Sequence, residues 1–439
     1  MTTRDEIVAL DKQLLWHPYT PMRRYIDEVD PLVVARAEGI HVWDEDGQRY
    51  LDGNSSWWVS VLGHNHPHLM DALRRQTETL AHCSMAGTIH EGAVRLAERV
   101  LPKCGDSFTR LFYSDDGSTA VEVALRMAYQ HWSLVGRPEK QRFATLEGAF
   151  HGDTVGAASV SGADVYHDAL GSMMFERTVL PSPAGGWEDA LAKAGETLHR
   201  EADRIAAVIV EPLVQGAAGM QMYPPDYLTG LRALCDELDI LLITDEVFVG
   251  YGRTGTFLAQ HQASIQADIV CLAKGFSGGV LPMAATVTND RVFEPFLGGP
   301  ENTLWYGHSF TGNPLGCAVA LATLDVFEEQ QIIENLPPKC EALARGLASV
   351  EDHPWVRDVR RTGLIGAFTL VEPGATEGAA NYMATAGWRF YDEARKRGAV
   401  LRPMGNVAYF VLPLIITAKQ IDELFGVVRE SLDAGFPRG

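Results

Sequence analysis

Apolar and polar positions alternate along this chain with two different periods, and the changes between them divide it into three stretches. The first residues, MTTRDEIVALDKQLLW, have helical spacing. VVARAEGIHVWDEDGQRYLDGNSS then alternates singly around turn signals at Asp46-Gly47 and Asp52-Gly53, which predicts a small antiparallel sheet. From about residue 66 the chain alternates between helical stretches and short, almost unbroken apolar runs. HEGAVRLAERVL and STAVEVALRMAYQHW are helical; RLFYSDD, FATLEGAF, AAVIVEP, ILLITDEV, IVCLAKG and AATVTND read as strands, with the helix DYLTGLRALCDELD among them. Runs that apolar belong to a sheet covered on both faces, so the expectation is an α/β fold with a mostly parallel sheet. PLGCAVALATLDVFEEQQ is a long helix leading away, and TGLIGAFTLVE, WRFYDEARKRG and VLRPMGNVAYFVLP suggest a further α+β unit. The expected organisation is residues 1–65 as an N-terminal part of a small domain, 66–325 as the large α/β domain and 326–439 as the C-terminal part. Residues 371–380 are expected to form an exposed loop.

Length and charge narrow the function. A chain of 439 residues has ample material for two domains. With 57 acidic against 37 basic residues, neither nucleic acid nor an anionic membrane is expected as a partner, and an anionic ligand needs local devices. No run of about 18 apolar residues occurs, so no membrane span is expected. Six scattered cysteines without a CxxC pair read as reduced thiols, and with no signal-type N-terminus the expected location is the cytoplasm.

Chemistry concentrates where the apolar runs end. Leu241, Leu242 and Ile243 lead into Asp245; Ile269, Val270, Cys271 and Leu272 lead into Lys274. Parallel sheets present their active groups at the carboxyl ends of strands. A buried amine beside a buried carboxylate suits pyridoxal phosphate (PLP): the amine forms an imine with the aldehyde, and the acid keeps the ring nitrogen protonated. SDDGSTAVEVAL opens a helix with Gly117, which permits close approach, and Ser118, expected to double as N-cap, a ready phosphate site. LEGAFHGDTVGA puts Phe150 and His151 at another strand end, the ring available for stacking and Asp153 expected to cap the next turn. Glu211 ends a third run, and Arg253 in GYGRTG either alternates between Glu211 and a substrate carboxylate or pairs with a loop acid. WYGHSFTGNPLGCA offers His308, Ser309 and Thr311 ahead of a helix. The cluster His64, His66 and His68 surrounds Pro67 on a turn and matches no zinc spacing, so no metal is expected.

Together, the Gly-Ser at 117–118, FHGD at 150–153, Glu-Pro at 211–212, DEV…GYGRTG and the lysine of LAKG resemble the class III, fold-type I PLP-dependent aminotransferases over nearly the whole chain. WHPYT, DGNSSWWVSVLGHNHP and RPMGN resemble the members that aminate 8-amino-7-oxononanoate in biotin synthesis, which implies that keto acid and an amino donor as substrates. The resemblance implies a homodimer with active sites shared between chains. It implies that Lys274 forms the imine and moves the proton, Asp245 pairs with the ring nitrogen, Gly117 and Ser118 bind phosphate, Phe150 stacks on the ring and His151 lies among the cofactor-binding residues. His308 and Ser309 contribute from the partner; Tyr19, Trp57, Phe150, Gly307 and Arg402 serve the substrate, Arg402 taking its carboxylate.

Two departures concern the donor. Members using adenosylmethionine have Tyr where this chain has Phe150, and Pro-Thr where it has His308-Ser309. Adenosylmethionine is the expected donor and lysine the competitor. The rival activities are a class III transaminase for ω-amino acids or amines, and a non-catalytic PLP-binding sensor, which lacks a DNA-binding extension here.

Overall fold

A computed structural model describes residues 3–374 and 380–437. The expected loop at 371–380 therefore lies partly outside the described residues. Seven strands form the main sheet, in the order Phe108–Ser114, Ala284–Asn289, Ile269–Leu272, Leu241–Asp245, Ile205–Val210, Arg142–Leu146, Arg177–Leu180. Four of its six pairings are parallel; only Ala284–Asn289 runs against its neighbours. Ile205–Val210, Leu241–Asp245 and Ile269–Leu272 are buried at every position, which is why they read as unbroken apolar runs. One face packs on the helix Gly117–Leu134, whose Ala120, Val121, Ala124 and Ala128 are fully buried and small enough for close approach to the sheet.

The N-terminal strands Val34–Glu38, His41–Asp44 and Arg49–Asp52 pair antiparallel as their alternation implies. The sheet is completed by Ala399–Val400, pairing parallel with Arg49–Asp52. The two chain ends thus meet in one sheet, and that junction carries Asn54 to Trp58 toward the main sheet. The C-terminal strands Val356–Thr362, Ile365–Leu370 and Val407–Val411 form a separate antiparallel sheet. The helix Pro314–Glu329 packs on Pro67–Thr79 and Glu91–Cys104 and runs through residue 325, where the expected division falls. Among the described residues no helix is long and apolar enough to cross a membrane.

Candidate active site

A cavity of about 480 Å³ opens at the carboxyl ends of the central strands, lined among others by Trp58, Gly117, Ser118, Phe150, Glu211, Asp245, Phe248 and Lys274. Sheet register explains the convergence. Asp245 closes the strand beside Ile269–Leu272, so the turn after that neighbouring strand delivers Lys274 to the same end. Lys274 has a left-handed backbone, φ 47°, held in the tight turn that follows its strand.

The carboxylate of Asp245 is fixed at both oxygens. One accepts from the Val247 N–H at 3.1 Å and the other lies 2.8 Å from His151 Nδ1. His151 is itself buried, with Nε2 at 3.4 Å from Thr145 Oγ1. Glu211, the second floor acid, accepts from the N–H groups of Phe150 (3.0 Å) and Gly216 (2.9 Å). Burial pushes its carboxyl up to about 7, opposed by His151 and these two donors and assisted by the Asp245 charge. Burial likewise lowers the Lys274 ammonium, with Asp245 and Glu211 acting in the opposite sense and Arg253 reinforcing the shift. A buried amine so displaced is more often neutral, and therefore nucleophilic, than a surface lysine.

One end of the cavity is formed by the start of the helix Gly117–Leu134. The N-cap is Asp116, not Ser118: its carboxylate accepts from the Thr119 N–H at 2.9 Å, and Thr119 Oγ1 accepts in return from the Asp116 N–H. Ser118 is left free to face the cavity, where its hydroxyl accepts from the Asp153 N–H at 3.1 Å. Space here depends on two glycines: a Cβ on Gly117 falls 2.7 Å from Val247, and one on Gly152, where φ is 130°, falls 2.2 Å from the Ser118 hydroxyl. Asp153 is not a cap either. Its carboxylate accepts from the Tyr19 hydroxyl and lies 3.5 Å from His167 Nε2.

Arg253 binds no acid among the described residues. Its guanidinium is buried and donates to the carbonyls of Leu412 (2.6 Å) and Trp58 (3.0 Å) and to Ser55 Oγ (3.2 Å), so it is paired here with neither Glu211 nor a loop acid. The three histidines at 64, 66 and 68 also separate: His64 pairs with Asp52 at 2.9 Å and His68 with Asp325 at 3.0 Å. No cluster of three His, Cys, Asp or Glu side chains is arranged to hold a metal among the described residues.

Tyr19, Trp57 and Arg402 are not among the residues lining the cavity itself; they belong to an outer aromatic group that adjoins it through Tyr19 on Asp153 and Tyr166 on Phe150. Tyr19 meets Trp57 edge-on at 5.5 Å and Tyr166 at 5.9 Å; the Arg402 guanidinium lies 4.8 Å from the Trp57 ring centroid. Phe150 lines the cavity and is backed by His167, stacked at 5.5 Å and 13°. Gly307 and Ser309 are exposed, away from the cavity of their own chain; His308 reaches its edge, with Nδ1 at 3.4 Å from Asp115. Sequence reasoning missed Val247 and Phe248, which line the cavity, and Tyr166 and His167, which pack against Phe150; nothing in SGADVYHD distinguishes its aromatic pair from a surface turn.

The arrangement fits PLP. It provides an amine and a pinned carboxylate on the floor, with a helix N-terminus cleared by glycine at the required end. The class III aminotransferase model matches residues 25–432, and the chain belongs to that PLP-dependent family. An adenosylmethionine-8-amino-7-oxononanoate aminotransferase of Geobacter sulfurreducens is 40% identical over 436 residues, covering 96% of each chain. The crystal structure of the enzyme of that name from Methanocaldococcus jannaschii superposes with a TM-score of 0.94 at 35% identity, covering 98% of this chain and 99% of the other. An (S)-enantioselective ω-transaminase from Thermomicrobium roseum gives 0.93 at 30% identity, covering 99% of each.

Proposed function

We propose that this enzyme transfers an amino group to 8-amino-7-oxononanoate, forming 7,8-diaminononanoate for biotin synthesis. The observation that carries the reading is Arg402. No carboxylate pairs with it among the described residues; it stands over Trp57, while the Lys274 amine stands over the next residue, Trp58, so that cation and amine are held apart on two neighbouring indoles. A keto acid with its carboxylate far from the reacting carbon needs that separation of cation from amine. Relatives named for this substrate, at 32–40% identity over nearly the whole chain, support it over the amine transaminases at 28–30%.

When bound, PLP supplies an aldehyde and an electron-accepting ring. The chain's own groups do the rest. Lys274 would hold the cofactor through its amine and, as a free amine, would move the proton at the substrate carbon. Asp245, held by His151 and the Val247 N–H, keeps the ring nitrogen protonated. The N–H groups of Gly117 and Ser118 would receive phosphate, Phe150 would face the ring and Arg402 would orient the distal carboxylate. Trp58 and Phe248 exclude water from the amine.

Adenosylmethionine is the donor we propose, supported by the retained Tyr19 and the names of the relatives; Phe150, which offers no hydroxyl, is the feature that favours lysine. A cytoplasmic homodimer with His308, Ser309 and Gly307 serving the partner's site completes the proposal. Exposed Trp305, Phe310, Leu297 and Trp16, respectively 76%, 57%, 67% and 90% accessible, support such a partner surface. We also retain 1–65, 66–325 and 326–439 as the domain division. The test offers purified enzyme 8-amino-7-oxononanoate with adenosylmethionine or lysine and follows diaminononanoate by mass spectrometry. Product with adenosylmethionine is expected. No product with either donor, while an ω-amino acid is turned over, would overturn the assignment.

A further inference from the structure

The Lys274 amine lies 4.9 Å from the ring centroid of Trp58 and 5.9 Å from that of Phe248. The two rings are 4.5 Å apart and tilted by 46°, so they form an aromatic corner around the amine. Considerable structure is committed to that corner. Ser55, Ser56 and Trp58 all have left-handed φ (49°, 61° and 67°), a conformation bulky L-residues seldom adopt. The turn is held by the buried Arg253, which donates to the Trp58 carbonyl, to the Ser55 hydroxyl and to Leu412 across the junction. A desolvated guanidinium without an ion pair among the described residues is thus used to fix the backbone that aims one indole.

We propose that Trp58 is a positioning residue for the proton-carrying lysine, its π face holding the Lys274 ammonium while the lysine is free of the cofactor. This rests on the assignment of Lys274 above. In the transfer, the neutral amine would take a proton from the substrate carbon, become an ammonium and then pass a proton on; it would start and end neutral. The intermediate cation needs enough stabilisation to form and too little to be trapped. The other charged groups facing it are Asp245 and Glu211, which favour the cation, and Arg253, which opposes it. Both acids are already bound by N–H donors, and Asp245 by His151 as well, leaving the indole as the face nearest the amine that accepts no proton. A desolvated cation–π contact of this kind shifts an amine's ionisation midpoint by roughly 0.5–1.5 pH units.

The test uses enzyme loaded with pyridoxamine phosphate, in which Lys274 is a free amine. Competitive acetylation over a pH series, read by mass spectrometry of the Lys274 peptide, yields its midpoint in the native enzyme, Trp58→Phe and Trp58→Leu. The midpoint is expected to fall by about 0.5–1.5 units in Trp58→Leu and by less in Trp58→Phe, which keeps a weaker π face. A midpoint that stays or rises in Trp58→Leu overturns the inference, as does an equal fall in both variants. If Trp58→Leu does not fold, Trp58→Met replaces it in the same contrast. Failure of the underlying assignment looks different: Lys274→Ala then keeps the imine absorbance band of the PLP enzyme.

Discussion

On the floor of the site, Asp245, Glu211, His151 and Lys274 follow strands of one buried sheet, and both acids are held by fixed hydrogen bonds. On its outer wall, Tyr19, Trp57 and Arg402 come from opposite ends of the chain, and their mutual contacts are ring edges and a cation over an indole. The floor is pre-organised for one chemistry, where electrostatics act at low dielectric. In the function proposed, the wall sets which molecule enters. Floor substitutions should therefore reduce turnover with every substrate, whereas wall substitutions should act on one substrate and leave the chemistry.

Lys274→Ala makes the sharpest break. It is expected to abolish turnover and the imine absorbance band together, with every donor tested; retention of both would remove Lys274 from the mechanism. Asp245→Asn comes next. It leaves the ring nitrogen without its anion, and a fall of about 10²–10³ in kcat is expected, by analogy with the loss of one pre-organised electrostatic partner. Binding of the keto acid should change little. A large rise in KM at constant kcat would mean that Asp245 belongs with the wall.

Glu211 tests the floor through stability. Its folded-state ionisation is raised from 4.5 to about 7, so between these values the folded protein holds a proton that the unfolded chain has released. Stability from this group is fully present below the unfolded value and is lost as pH rises through the folded one. The loss amounts to at most about 3 kcal/mol. Glu211→Gln cannot titrate and should flatten the decline of melting temperature across that window. Because an amide presents a donor to one of the Phe150 and Gly216 N–H groups, the variant should also be less stable at the acid end. An unchanged slope would mean that another buried group, such as Glu246, raised to about 8, governs it.

The same division decides what could be read in advance. Asp245 and Lys274 were legible because unbroken apolar runs must be buried strands, and a charge at the end of such a run needs a reason. The mostly parallel sheet followed from the same runs. Arg253 was misleading because its partners are carbonyls of residues 58 and 412, and no side-chain pattern announces a backbone acceptor. The aromatic corner was hidden for a related reason: it depends on left-handed conformations at three residues that are not glycine. In SDDGST five side chains are of a type that caps helices, and only the approach of Gly152 and Asp153 shows why Ser118 is needed elsewhere. The pairing of Ala399–Val400 with Arg49–Asp52 joins segments too distant for any local period to reveal.

Arg402 breaks the comparison from the wall side. Its backbone N–H donates to Asn54 Oδ1 at 2.6 Å, which ties its position to the turn bearing Trp57 and Trp58. Arg402→Met keeps much of the apolar stem against Trp57 and Trp388 while removing the charge. A charge-assisted contact to a carboxylate is worth about 1.5–3 kcal/mol, so KM for 8-amino-7-oxononanoate should rise about 10- to 100-fold. The methyl ester of the keto acid, lacking the charge, should be handled nearly alike by native and variant enzymes. The half-reaction with the amino donor reads the floor independently, because it never requires that keto acid. If Arg402→Met slows the donor half-reaction as strongly as the acceptor one, the cation serves both substrates, and the separation between a floor that performs chemistry and a wall that selects no longer holds.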